Sequence, residues 1–268
     1  MATFDFITFL TDYGLAAGFV GTCHGVAARI APHARVIDLT HDVPPQDIRT
    51  GALVLAQSID FLPLAVHVGV VDPGVGTERR GIAVSGRRGI FVGPDNGLLT
   101  WAFPPGDVTG AWELTNEELF LHPVSRTFHG RDVFMPVGAH LCNGTDPAEL
   151  GPELDPAGLE RLPTPHLAAA DGVLEAEVQL VDRFGNAQLA GRRRDLEEAG
   201  LGRDRELLLE LDGRQVPVSL AATFGEVPEG ALLVYEGSTG YLVVAVHGAS
   251  AAAELGLSPG RRIRLTAS

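Results

Sequence analysis

A chain of 268 residues is long enough for one large domain or two ordinary ones. With 45% hydrophobic and 20% charged residues it has the composition of a folded globular protein, and its net charge of -14 works against nucleic acid and anionic membranes as partners. All twenty positions held by Lys or Arg are Arg, which excludes Schiff-base chemistry and a P-loop lysine; Cys23 and Cys142 have no CxxC spacing, which argues against a disulfide framework or zinc knuckle and for a cytoplasmic setting.

The opening stretch "MATFDFITFLTDYG" carries Asp5 and no basic segment, so it does not read as a signal peptide, and no apolar run reaches membrane-spanning length. Its β-branched and aromatic residues from Phe4 to Leu10 predict a strand that ends at "TDYG". Next, Phe19, Val20, Cys23, Val26, Ala27 and Ile30 recur at helical spacing, with Pro32 just beyond. The alternation repeats with a strand over Arg35–Leu39, a helix over Asp47–Phe61, a buried strand over Leu64–Val71, and strands near Gly81–Ser85 and Gly89–Gly93. This predicts an α/β domain with a largely parallel sheet covered by helices on both faces. Ligands of such sheets bind beyond the carboxyl ends of the strands, where Asp12 and Asp72 fall.

At Asp155 to Gly172 prolines and small residues interrupt any period, as a linker does. The expected division is an N-terminal α/β domain over 1–160, a linker over 161–173 and a C-terminal all-β, barrel-like domain over 174–268. The last rests on short strand candidates "VLEAEVQLVD", "RELLLELDG", "QVPVSL", "ALLVYEG", "GYLVVAVHG" and "RRIRLTA", with one helical patch near Arg192–Ala199.

Five polar, glycine-studded stretches interrupt this framework: "TDYG", "VVDPGVGTERR", "GPDNGLLT", "TFHGRD" and "VDRFGN". Asp12 reads either as a turn or helix cap or as a carboxylate for a ribose diol. Asp72, before Pro73, reads as a turn initiator or as a partner for one arginine of the Arg79–Arg80 pair; on extended backbone the two point to opposite sides, leaving the other solvated. His129 reads as a core histidine or as part of a shaped pocket beside Phe128 and Gly130, and Asn186 as a left-handed turn residue or a reader of adenine edges. Asp38, His41 and Asp42 of "DLTHD" are candidates to join Asp12 around a divalent metal, but their order matches no defining spacing, so no metal or other cofactor is expected. The glycines Gly74, Gly76 and Gly81 do not make GxGxxG, and no P-loop occurs.

Taken in order, "LTDYG", "DLTHDVPPQDIRTGA", "VVDPGVGTERR", "FVGPDNGLL", "TFHGRDVFMP", "VDRFGN" and "EGSTGYLVVA" resemble the S-adenosylmethionine hydroxide adenosyltransferase family, related to the fluorinases and chlorinases. The resemblance covers nearly the whole chain. It implies an N-terminal α/β domain and a C-terminal β-barrel, a homotrimer with sites between subunits, and cleavage of S-adenosylmethionine by water to adenosine and methionine. It places a catalytic triad on Asp72, Arg79 and His129, the ribose contact on Asp12, the adenine contacts on Phe184 and Asn186, and the methionine end on Asp182, Ser238 and Thr239. One position departs from the family pattern: where relatives carry a second Asp five residues after the first, this chain has Ala17. A halogenase of the same superfamily and a non-catalytic adenosine or S-adenosylmethionine binder are the alternatives. A carboxylate about 4 Å from a halide repels it by roughly 4 kcal/mol at an effective dielectric of 20, which favours water unless Arg79 neutralises Asp72.

Overall fold

Strand β1 (Phe6–Thr11) lies between β2 (Arg35–Thr40) and β3 (Ala65–Val70) and is parallel to both. The computed structural model describes residues 3–103, 106–202 and 206–268. β3 pairs in parallel with β5 (Gly89–Pro94), after which the sheet changes sense: β4 (Gly81–Gly86) runs antiparallel between β5 and β6 (Val108–Glu113). The order is β2-β1-β3-β5-β4-β6. Only two residues, Arg87 and Arg88, separate β4 from β5, and so short a link permits an antiparallel pair only. The sheet is therefore parallel-rich, with an antiparallel flank.

Helix α1 (Phe19–Ile30) buries Val20, Cys23, Val26 and Ala27, the stripe its sequence period requires. It packs with α3 (Met135–Cys142) over one face of the sheet, sharing a core with Ile7, Phe9, Val68 and Val92. Helix α2 (Ile48–Ser58) covers the other face, where Ala52 and Leu55 meet Leu10, Val71 and Phe91. Successive β1 side chains, Phe9 and Leu10, thus enter different cores, as strand alternation demands. Asp47 caps α2 by accepting from the Thr50 N–H at 2.9 Å and the Thr50 hydroxyl at 2.6 Å. The helix expected to reach Phe61 tightens into a 3₁₀ turn over Ile59–Phe61. No helix among the described residues is long and apolar enough to cross a membrane.

The chain divides into two compact units between Leu162 and Pro163. The second is built of β8 (Val173–Val181), β9 (Ala187–Arg192), β10 (Glu206–Leu211), β11 (Arg214–Leu220), β12 (Leu232–Glu236), β13 (Tyr241–Val246) and β14 (Arg262–Ala267). Pairing of β14 with β8 closes these seven strands into a barrel around Val178, Leu189, Leu209, Val244 and Ile263. Every pair is antiparallel except β11 and β12. A short strand β7 (Leu167–Ala170) adds to β8, inside the stretch the sequence reads as linker. Helix α4 (Arg193–Glu198) follows β9, and α5 (Ala251–Leu255) packs on β13. Strand "RELLLELDG" is present as β10, though its first residue, Arg205, lies outside the described residues. β6, α3, β9 and α5 have no counterpart among the expected elements.

Candidate active site

β3 ends at Val70, and Asp72 follows two residues later with its side chain 5% exposed. The loop after it is folded by backbone bonds from Val75 to the Asp72 carbonyl (3.2 Å) and from Thr77 to the Gly74 carbonyl (3.2 Å), which turn Arg79 back onto Asp72. Gly76 is required there: its φ is 76°, and a Cβ would stand 2.4 Å from the Arg126 carbonyl oxygen. Asn96 braces the strand end by donating its Nδ2 to the Val71 carbonyl at 2.9 Å while its Oδ1 accepts from the Leu98 N–H at 3.1 Å.

Arg79 makes a forked pair with Asp72: Nε donates to Oδ1 at 2.9 Å and to Oδ2 at 3.1 Å, and a terminal nitrogen donates to Oδ2 at 2.5 Å. That same terminal nitrogen lies 2.8 Å from His129 Nδ1. A guanidinium has no acceptor, so Nδ1 must be the acceptor and the ring proton sits on Nε2. His129 is accordingly neutral. Burial pushes its pKa below the ordinary histidine value, the Arg79 charge pushes the same way, and Asp72 and Asp132 oppose them. The Phe134 ring lies against the guanidinium, its centroid 5.1 Å away. A cavity of about 450 Å³ reaches Arg79 and His129 and is lined also by Arg80, Glu113, Glu117 and His122, so solvent has a route to the pair.

His129 immediately precedes a π-helical turn, Gly130–Phe134, which runs into α3. Asp132, fully buried in that turn, accepts from Arg131 at 2.6 and 2.8 Å and from the Ser125 N–H at 2.8 Å, anchoring the preceding loop. Gly130 makes room for Tyr13, since a Cβ there would stand 2.1 Å from the tyrosine hydroxyl. Tyr13 meets Phe19 at a tilt and Phe128 edge-on, at centroid distances of 6.0 and 5.6 Å. Burial, with Cys23, Asp12 and Asp72 nearby, pushes its hydroxyl pKa well above the ordinary value, so it stays a neutral donor. Tyr13 is a wall residue that the sequence reading does not single out; its signal is the invitation of a glycine at 130, visible only in space.

Asp12 is half-buried, and its Oδ2 accepts from the Gln46 N–H at 2.8 Å. The adjacent arginine departs from expectation: Arg80 does point away from Asp72, but instead of being solvated it pairs with buried Asp95 at 2.5 Å and donates to the Gly158 carbonyl at 3.0 Å. Pairing of Asp72 with Arg79 also removes most of the charge argument against halide, because the carboxylate is neutralised.

In the barrel unit the "VDRFGN" turn is held by Asp182, whose carboxylate accepts from the Phe184 N–H (2.8 Å), the Asn186 N–H (3.0 Å) and Asn186 Nδ2 (2.8 Å). The Asn186 amide is thereby oriented with Oδ1 left over as an acceptor. Phe184 is 71% exposed, an unusual position for a large aromatic. Ser238 is exposed, and the half-buried Thr239 donates its hydroxyl to Gln188 Oε1 at 3.3 Å.

A parallel-rich sheet presenting an Asp–Arg–His constellation at a strand end, in a chain that also carries a closed β-barrel, defines a two-unit α/β-plus-barrel protein with a solvent-accessible polar site. Family models for the SAM hydroxide adenosyltransferase N-terminal and C-terminal domains match residues 7–151 and 176–264, and the chain belongs to that family. It is 52% identical, over the full length of both chains, to a protein of Salinispora tropica named (R)-S-adenosyl-L-methionine hydrolase. A fluorinase of Actinoplanes is 28% identical, with 97% of each chain covered. The crystal structure of an uncharacterized conserved protein from Thermotoga maritima superposes with a TM-score of 0.91 at 36% identity, covering 97% of this chain and 99% of that one.

Proposed function

We propose that this protein hydrolyses (R)-S-adenosyl-L-methionine to adenosine and L-methionine. The observation that carries the reading is the continuous Asp72–Arg79–His129 chain at the end of β3, whose Arg79 and His129 members line a solvent cavity. Water supplies its oxygen to ribose C5′, the C5′–S bond breaks with its electron pair going to methionine sulfur, and one proton is released. The sulfonium is already a good leaving group, so what the enzyme must supply is a nucleophile held in line. Arg79 has no lone pair to offer and the Nδ1 pair of His129 is taken by Arg79, so Asp72 is the member with acceptor capacity left for the proton of the water. His129 Nε2–H is a donor that holds the water oxygen, and Arg79 fixes both partners and offsets the charge that Asp72 would present to the nucleophile.

On the same reading Asp12 takes the ribose hydroxyls, with its Oδ1 available for them. Phe184 offers its exposed ring face to adenine and Asn186 its Oδ1 to the exocyclic amine. Ser238 and Thr239 serve the methionine end. Asp182, whose carboxylate already accepts three bonds from its own turn, reaches that end through its hold on the turn. Ala17 offers no carboxylate for the substrate ammonium. The assembly we infer is a homotrimer with sites between subunits.

Incubation of purified protein with (R)-S-adenosyl-L-methionine and chromatographic detection of adenosine tests the reading; formation above the level of an Asp72→Ala variant is expected, and equal traces from both would end it. Turnover independent of chloride and fluoride, with no 5′-halogenated nucleoside, separates hydrolysis from halogenation. Ligand recovered intact after tight binding would identify a binder instead.

A further inference from the structure

Behind the Thr11–Gly14 turn, three residues from different elements converge: His24 in the middle of α1, Asp38 on β2, and His41 just after β2. We propose that they form a site for one divalent transition-metal ion, a structural clip between α1 and β2 that supports the turn carrying Asp12. His24 Nε2 is 2.8 Å and His41 Nε2 3.0 Å from the same oxygen, Asp38 Oδ1, and the three ligating atoms all lie within 4.8 Å of one another.

Two donors each bound about 2.05 Å from a tetrahedral zinc stand about 3.3 Å apart. The two histidine–aspartate separations, 2.8 and 3.0 Å, are a few tenths of an ångström shorter than that, so the side chains open slightly to admit an ion. Two imidazoles and one carboxylate suit zinc, nickel or copper, whereas magnesium and calcium prefer all-oxygen sets.

His41 supplies the independent observation. The residue is 4% exposed, and although its Nε2 sits 3.0 Å from Asp38 Oδ1 it makes no hydrogen bond there, because the direction of an N–H misses that oxygen. A buried ring nitrogen without a hydrogen-bond partner is rare in a folded protein, and a ligated one needs none. Its other nitrogen, Nδ1, is 2.8 Å from the Thr11 hydroxyl, and its ring is held edge-on to Phe9 at 4.9 Å. An outer hydrogen bond of this type is how ligating histidines are usually oriented. The side chains of Asp38 and His24 are 39% and 36% exposed, which leaves an entry path and positions for water ligands.

The set differs from the one the sequence offers. Asp12 is occupied with the Gln46 N–H, Asp42 is not in the cluster, and His24 lies fourteen residues before Asp38. The ion would act on the turn through two bonds already present: Thr11 to the His41 ring, and the Gly14 N–H to the His41 carbonyl at 2.8 Å.

The test uses full-length protein stripped with a chelator and titrated with zinc sulfate at neutral pH, read by calorimetry, bound-metal analysis and thermal unfolding. One zinc per chain with a rise in Tm is expected. His24→Gln and Asp38→Asn, both at partly exposed side chains, should keep the metal-free Tm within about a degree while weakening zinc binding by about 10²-fold and abolishing the Tm rise. No stoichiometric zinc, binding unchanged in both variants, or an equal response to magnesium would each overturn the proposal. A substoichiometric trace removed by dialysis counts as no binding.

Discussion

Arg79 commits three hydrogen bonds to Asp72 and shares a terminal nitrogen with His129, so the edge formed by Nε and that nitrogen is fully committed. A lysine ammonium cannot make that fork while touching an imidazole. Arg79→Lys is therefore expected to lower adenosine formation by about 10²-fold or more, about 2.7 kcal/mol in transition-state free energy, with the far-ultraviolet spectrum unchanged. His129 makes a second prediction at this scale. Its folded pKa is depressed, so it stays neutral through neutral pH; protonation of Nδ1 at lower pH removes the acceptor for Arg79. The acid limb of kcat/KM should have its midpoint below 6.5, and the residual activity of His129→Ala should lack that limb.

At the scale of elements, β3 carries a buried histidine with no part in the site. His67 is fully buried, pairs with Thr8 through Nδ1 at 2.8 Å and with the Arg88 carbonyl through Nε2 at 3.1 Å, and stacks on Phe91. Burial pushes its pKa down to about 4. Below 6.5 the unfolded chain takes up a proton that the folded chain refuses, so stability present above 6.5 falls as pH drops, by about 1.4 kcal/mol per unit until the folded value near 4 is reached. Urea unfolding at pH 7 and pH 5 should show this fall, and His67→Gln should reduce it. The strands and helices with strong period were legible in the sequence: β1, α1, α2 and β3 lie where alternation and spacing put them. α3 was not, because it starts from a π turn inside "TFHGRDVFMP", where Pro136 and Gly138 blur the helical signal. Nor was β6, whose "VTGAWE" is too short and mixed to stand out from loop.

For the whole molecule, the two cores on either face of the sheet share no residue with the core inside the barrel, which makes each unit its own folding problem. Residues 163–268 expressed alone should give a β-type circular dichroism spectrum and unfold cooperatively; a structureless product would mean the barrel depends on the sheet unit. Barrel closure was only half legible. Six of the seven barrel strands were in the sequence and β9 was not, and the β14–β8 pairing joins segments more than eighty residues apart and leaves no local trace. The site was legible to a similar degree. "VVDPGVGTERR" announced an acid beside a guanidinium, whereas Tyr13 against Gly130, Arg80 on Asp95, and His24 beside Asp38 exist only through the packing of distant segments.

The position of β2 at the end of the strand order has a consequence for how the protein behaves in concentrated solution. Among the described residues its outer side has no neighbouring strand in the sheet, while the barrel, being closed, offers little of the kind. A rim of unpaired amides and carbonyls is a template on which another chain can grow a strand. Charged Arg35 and Asp38 on this rim are the residues that discourage such growth, and their replacement by valine should turn a well-behaved solution into one that gels or forms fibres.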